Sequence, residues 1–137
     1  MADHIIIEDG RFNDLVVHDA PLRHLADGCV WAEGPVWIAD GEYVLWSDIP
    51  NNRIMRWSES DGASVWRQPS NHTNGHTVDR QGRLVSCEHS RNRISRTESD
   101  GSVVTLVERY EGDRFNSPND LVVKSDDTIW FTDPPYG

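Results

Sequence analysis

Three short polar words in this 137-residue chain carry groups that could do chemistry together: Glu33-Gly34-Pro35, Asn74-Gly75-His76, and Asn119-Asp120 after Ser117-Pro118. A glutamate carboxylate and asparagine carboxamides are hard oxygen donors, suited to calcium or magnesium rather than zinc. Such groups matter only if they converge. Taken singly, Glu33 is an acid at a Gly-Pro turn, and Asn74-Gly75 and Asn119-Asp120 are ordinary turn pairs. There is no Gly-x-Ser-x-Gly elbow, phosphate-cradling loop or His-Glu-x-x-His pair. His72, His76 and His89 fit no zinc spacing and read as surface or loop residues, although His89, at a strand end, would border the mouth of a channel.

The elements that would bring the three words together are visible as a repeat. Leu45-Trp46-Ser47 leads through Asn52-Arg53-Ile54 to Glu59-Ser60-Asp61-Gly62, and Leu84-Val85-Ser86 leads through Asn92-Arg93-Ile94 to Glu98-Ser99-Asp100-Gly101. The Asn-Arg-Ile triplets are 40 residues apart and the Asp-Gly turns 39, which implies the loss of one residue between them. A third copy runs from Asp120-Leu121-Val122 to Trp130-Phe131-Thr132-Asp133. Strand chemistry at a period of roughly 40–45 residues marks propeller blades. The expected fold is all-β, a β-propeller of which this chain covers about two and a half blades. The innermost strand of each blade lines a central channel, and each polar word lies just before its blade's first strand. Glu33, Asn74 and Asn119 are therefore expected to meet at the axis from three neighbouring blades.

The strand rhythm supports this organisation. Pro35–Ile38, Tyr43–Ser47, Arg53–Trp57 and Ser64–Arg67 read as the four strands of one blade, with Asp61-Gly62 as a hairpin turn. His76–Val78, Leu84–Cys87, Arg93–Arg96 and Val103–Val107 read as the next. Leu121–Val123 and Ile129–Phe131 open the third. Asp48 and Asp133 sit at corresponding strand ends, with Cys87 between them in the repeat, and read as loop braces. The tryptophans at 37, 46, 57, 66 and 130 read as sheet packing. Residues 1–24 form an N-terminal segment in which Ile5–Ile7 and Leu15–Val17 are candidate short strands, one of them a ring-closing strand. Residues 25–137 are the blades.

Composition narrows the function. A net charge of −10 and a pI near 4.8 exclude the basic stripe that a nucleic-acid partner requires. Cys29 and Cys87 have no metal or redox spacing and read as reduced thiols. The N-terminus shows no apolar stretch of signal or membrane-spanning length, so no membrane partner is expected and the cytoplasm is the expected compartment. Two and a half blades cannot close a ring. The chain is expected to be a piece of a longer protein or to self-associate through exposed strand edges.

Trp31-Ala32-Glu33-Gly34-Pro35-Val36-Trp37, Ser47-Asp48-Ile49-Pro50-Asn51-Asn52-Arg53-Ile54, Asp79-Arg80-Gln81-Gly82-Arg83-Leu84, Asn116-Ser117-Pro118-Asn119-Asp120 and Phe131-Thr132-Asp133-Pro134-Pro135-Tyr136-Gly137 together resemble the gluconolactonase family, also called SMP-30/regucalcin-like. The resemblance runs from about Leu25 to Gly137. It implies a six-bladed propeller of about twice this length, hydrolysis of a sugar lactone, and a divalent cation in the channel. Calcium is the expected ion, with magnesium, manganese or zinc as alternatives. Glu33 matches the family's metal-binding glutamate, and Asn119 an asparagine that faces substrate and helps hold the metal. Arg114 matches a sugar-contacting arginine, with two extra residues before Asn119. Asn74 is expected on the channel wall, facing substrate. The resemblance assigns the remaining ligands, including the aspartate that serves as general base, to blades beyond Gly137, so the catalytic residue is unknown from this sequence. The alternative readings are a non-enzymatic propeller scaffold and an inactive fragment of a lactonase.

Overall fold

A computed structural model describes residues 5–17 and 19–136. Met1 to His4, His18 and Gly137, which closes the last of the motifs above, lie outside the described residues. Among the described residues lie two complete four-stranded antiparallel sheets and the opening hairpin of a third, as the blade period predicts. The first sheet is β1 (Ala32–Ile38), β2 (Tyr43–Asp48), β3 (Arg53–Ser58) and β4 (Gly62–Arg67), in that order. The second is β5 (Thr73–Val78), β6 (Leu84–Glu88), β7 (Arg93–Thr97) and β8 (Val103–Val107). A two-stranded excursion, β9 (Arg109–Tyr110) and β10 (Asp113–Arg114), precedes β11 (Leu121–Val123) and β12 (Ile129–Phe131).

The excursion has no counterpart in the strands read from the repeat. Its turn is Glu111-Gly112, both at positive φ (51° and 97°), the conformation of a tight primed hairpin. The N-terminal segment also differs from expectation. Among the described residues it forms no strand. Asp9 accepts from the Arg11 amide and starts a 3-10 turn over Gly10–Leu15, and Ile6 and Leu15 are exposed. No helix among the described residues is long and apolar enough to cross a membrane.

Apolar side chains stand on both faces of β2, β3 and β8, so these sheets have two faces to bury. Leu45 and Ile54 pack with Leu84 between the first two sheets, supported by Val36, Ile38, Tyr43 and Trp66. Val85, Cys87, Ile94 and Leu121 fill the next interface with Leu106, Val107, Ile129 and Phe131. Each fully buried aliphatic side chain is worth about 1.5–3 kcal/mol. Phe115 stacks edge-on against Phe131 at 5.0 Å. Trp66 thus packs as expected, whereas Trp37 and Trp130 lie on exposed faces.

The register corrects the alignment of the copies. Asp48 faces Arg53 as Glu88 faces Arg93. The counterpart of Asp48 is therefore Glu88, not Cys87, and Cys87 is the counterpart of Ser47. Trp57 faces Ala63 and Thr97 faces Val103 across loops of equal length. The ladder therefore loses no residue there, although the Asp-Gly words slip by one along it. The missing residue falls in the first turn, which is shorter between Val78 and Leu84 than between Trp37 and Val44.

The inner strands approach so closely that only glycine fits between them. A Cβ on Gly75 would stand 2.6 Å from the Asn119 carbonyl oxygen and 2.8 Å from the Asp120 Cα. Gly75→Ala is expected to cost about 1–3 kcal/mol by forcing the second and third inner strands apart. Gly10→Ala, where nothing lies within 4 Å, is expected to stay within about 0.5 kcal/mol of the parent. Denaturant midpoints of the two variants check this, and equal midpoints would contradict the packing described.

Candidate functional site

Each segment leading into an inner strand is gripped by a carboxylate, and the second and third segments are gripped from the preceding blade as well. The first grip is a carboxylate at the end of the second strand. Asp48, fully buried, accepts from the Val30 and Trp31 amides at 3.0 and 3.3 Å and from Arg53 Nε at 2.9 Å. Glu88, also fully buried, accepts from Asn71 Nδ2 at 3.0 Å and Arg93 Nε at 2.8 Å. Asp133 accepts from the Asn116 and Ser117 amides, both at 2.9 Å. The second grip is the asparagine of the preceding blade's Asn-Arg-Ile triplet. Asn52 Oδ1 accepts from the Ser70 and His72 amides, and Asn92 Nδ2 donates to the Asn116 carbonyl. Both asparagines sit at positive φ (53° and 51°), which their short polar side chain tolerates. Burial pushes the Asp48 carboxyl up, but the donors from Asn51, Arg53, Trp31 and Val30 outweigh it and hold it below the usual carboxylate range.

So held, the three polar words converge. Glu33, Asn74 and Asn119 line one cleft of about 250 Å³, joined by Gly34, Pro35, Gly75, His76 and Asp120. Two of the words lie inside their strands rather than ahead of them. Between Glu33 and Val36, and again between Thr73 and His76, the inner strand carries one residue more than its partner. In β1 the bulge takes in Gly34 and Pro35, directly after Glu33, which still pairs with Ser47; in β5 it takes in Asn74 and Gly75. Gly34 takes φ +58°, and the Asn74 carbonyl occupies the place a Cβ would need. The Gly75 amide donates to the Asn119 carbonyl at 2.8 Å. Glu33 Oε1 accepts from Trp31 Nε1 at 3.1 Å, and Asn74 is 7% exposed.

His76 differs most from its reading as a surface or loop residue. It lies in β5, is 6% exposed, and uses both ring nitrogens: Nε2 is 2.8 Å from Ser47 Oγ and Nδ1 is 2.8 Å from Ser86 Oγ. Burial, and secondarily the Arg67 guanidinium, lower its pKa from 6.5 to about 3. Arg114 lies outside the cleft, exposed on β10, with Nη2 donating to the Arg91 carbonyl at 3.0 Å. His89 also lies outside the cleft's lining. Its amide donates to the His72 carbonyl and its Nε2 is buried with no partner among the described residues.

The donors at the cleft are oxygens: two carboxylates, Glu33 and Asp120, and the amides of Asn74 and Asn119. His76 has no free nitrogen to add. This set fits a hard divalent cation in kind. Among the described residues no three His, Cys, Asp or Glu side chains form a metal-holding group, so the amides would have to complete the ligation from this chain.

The sequence profile of the SMP-30/Gluconolactonase/LRE-like region matches residues 31–137. The chain belongs to this family. A gluconolactonase of Zymomonas mobilis is 33% identical over 93% of the chain and 40% of its own length. A solved gluconolactonase of Xanthomonas campestris, described as important in glucose secondary metabolic pathways, is 46% identical, with a TM-score of 0.78 over 82% of this chain and 38% of its own. A further X-ray structure, provisionally described as a gluconolactonase, is 38% identical, with a TM-score of 0.85 over 94% of this chain and 45% of its own. The chain thus spans less than half the length of each of these relatives.

Two site features escaped the reading of the sequence. Glu88 would have emerged from counting back five residues from Arg93, as Asp48 does from Arg53. The pairing of His76 with Ser47 joins different blades, and no local signal carries it. A buried neutral histidine has a testable consequence. Below about pH 6.5 the unfolded chain binds a proton that folded His76 refuses until about pH 3, so stability falls as pH is lowered through that window. Between pH 6.5 and about 4.5, above the usual carboxylate range, urea midpoints are expected to drop. His76→Gln is expected to remove most of that slope and leave the smaller contribution of His89, which burial also lowers. An unchanged slope in His76→Gln would contradict a neutral buried imidazole.

Proposed function

We propose that these residues form part of the active centre of a lactone hydrolase acting on a sugar lactone such as gluconolactone. The observation that carries this reading is the convergence of Glu33, Asn74 and Asn119 on one polar cleft in a chain of the gluconolactonase family. Glu33 and Asn119 would hold a divalent cation, calcium first and magnesium, manganese or zinc otherwise. Bound there, it would supply Lewis-acid polarisation of the lactone carbonyl.

The chain's own groups have distinct tasks. A lactone is an internal ester, and water attack places negative charge on its carbonyl oxygen, which fixed donors nearby stabilise. The Asn74 and Asn119 carboxamides can donate to that oxygen or to ring hydroxyls, and their backbone ties keep them from relaxing away. Trp31 Nε1 orients the Glu33 carboxylate. Arg114 lies outside the cleft's lining, but its guanidinium nitrogens beyond the one bonded to Arg91 suit a sugar hydroxyl. The overall charge of −10 favours cation capture.

The test is acid release from δ-gluconolactone by a protein of the relatives' length that carries these residues. Metal-dependent release above the spontaneous rate is expected, with Glu33→Gln lowering it at least ~100-fold. Calcium should also raise the melting temperature of the parent and not of Glu33→Gln. No excess over buffer with any of the four metals would overturn the assignment.

A further inference from the structure

His76 occupies a ladder position that the blade itself does not require to be polar. In the third blade the corresponding residue is Leu121, which faces Phe131 as His76 faces Ser86 and is equally buried. In the first blade it is Pro35. A buried imidazole with two serine partners is costly unless every bond is made, so what its bonds accomplish is the question.

Proton counting assigns their direction. Ser47 Oγ lies 2.8 Å from the Asn74 carbonyl oxygen and 2.8 Å from His76 Nε2, with Thr73 Oγ1 at 3.0 Å. A carbonyl cannot donate, so the single Ser47 hydroxyl proton lies between Ser47 and Asn74. His76 Nε2 must then carry a proton and donate to Ser47, and the neutral ring's Nδ1 accepts from Ser86. The chain of donors runs Ser86 to His76 to Ser47 to the Asn74 carbonyl. It continues on the other side of the same peptide, where the Gly75 N–H donates to the Asn119 carbonyl at 2.8 Å. One peptide unit is thus held at both ends, by the first blade through Ser47 and by the third through Asn119.

We propose that His76 is the positioning residue of the cleft: through Ser47 it holds the Asn74–Gly75 peptide, and through that peptide it sets the spacing of Asn74 and Asn119. The assignment deepens the cation-assisted reading above and rests on it for its purpose, while its geometry is independent of it. Side chains that orient a binding group from behind typically change affinity by 10–100-fold when removed.

The experiment is hydrogen exchange of the Gly75 amide in this chain, with calcium titration alongside. In His76→Leu, which copies the third blade's choice, Gly75 protection is expected to fall at least ~10-fold while the Val85 and Ile94 amides in the sheet interior keep theirs. Calcium affinity is expected to fall about 10–100-fold. His76→Gln, whose amide can donate to Ser47 and accept from Ser86, is expected to restore both. Ser47→Ala should reproduce the Leu phenotype and serves if His76→Leu does not fold. Unchanged Gly75 protection in His76→Leu or Ser47→Ala, a Gln variant as impaired as Leu, or loss of Gly75 protection with parental calcium affinity would overturn the proposal. If the parent chain binds no calcium, the cation reading fails in this chain and Gly75 exchange alone decides the role of His76.

Discussion

A carboxylate at the end of each second strand, gripping the segment that leads into the same blade's inner strand, is the interaction on which the arrangement depends. Asp48, Glu88 and Asp133 occupy that position in successive blades. Asp48 and Asp133 accept from lead-in backbone amides that no ladder satisfies, and Glu88 accepts from the side chain of Asn71 in its lead-in. In the two complete blades the acid also accepts from the arginine five residues on, which compensates part of the cost of its burial. Without this clamp the inner strands would have no fixed starting point, and the groups beyond the clamp would have no fixed direction.

The second constraint acts between blades. Sheet-to-sheet contact is mostly apolar and therefore non-directional, so it cannot by itself set the angle or height of one blade against the next. Directional ties do that. Asn52 and Asn92 reach forward from one blade's second turn to the next blade's lead-in. At the inner edge, Gly34 and Gly75 let backbones approach to a distance at which a Cβ would collide, and the Gly75–Asn119 bond closes the gap. The bulges, just after Glu33 in β1 and at Asn74 in β5, lie beside the shared cleft. Burial, capping and strand irregularity thus serve one end, which is to face a few oxygen atoms toward one another across blade boundaries.

Such a cleft is chemically economical. The chemistry proposed for it needs no activated serine or thiol, and burial pushes the thiol of Cys87, at the second interface, up and keeps it unreactive. The asymmetry of the three words is informative. Glutamate in the first blade supplies charge, whereas asparagine in the second and third supplies neutral groups that can both donate and accept. The words differ at the inner strand, whereas the Asn-Arg-Ile triplet is the same in both complete blades, and the inner strand is where the proposed ligand would bind.

The sequence by itself determined the repeat, the all-β class, ten of the strands to within a few residues, the family, and the three words that form the cleft, because strand alternation, turn chemistry and motif order are local properties. It also pointed to Asp48 and Asp133 as braces. It misplaced their middle counterpart, since two alignments a single residue apart read equally well as words. Only the hydrogen-bond ladder distinguishes Cys87 from Glu88, because a one-residue slip sends a side chain to the opposite face of the sheet. The burial of His76, the bulges after Glu33 and at Asn74, and the excursion at Arg109–Arg114 were likewise decided by tertiary structure. Each depends on which backbone atoms of distant segments come within bonding distance, and no residue's type or neighbours in the chain encode that distance.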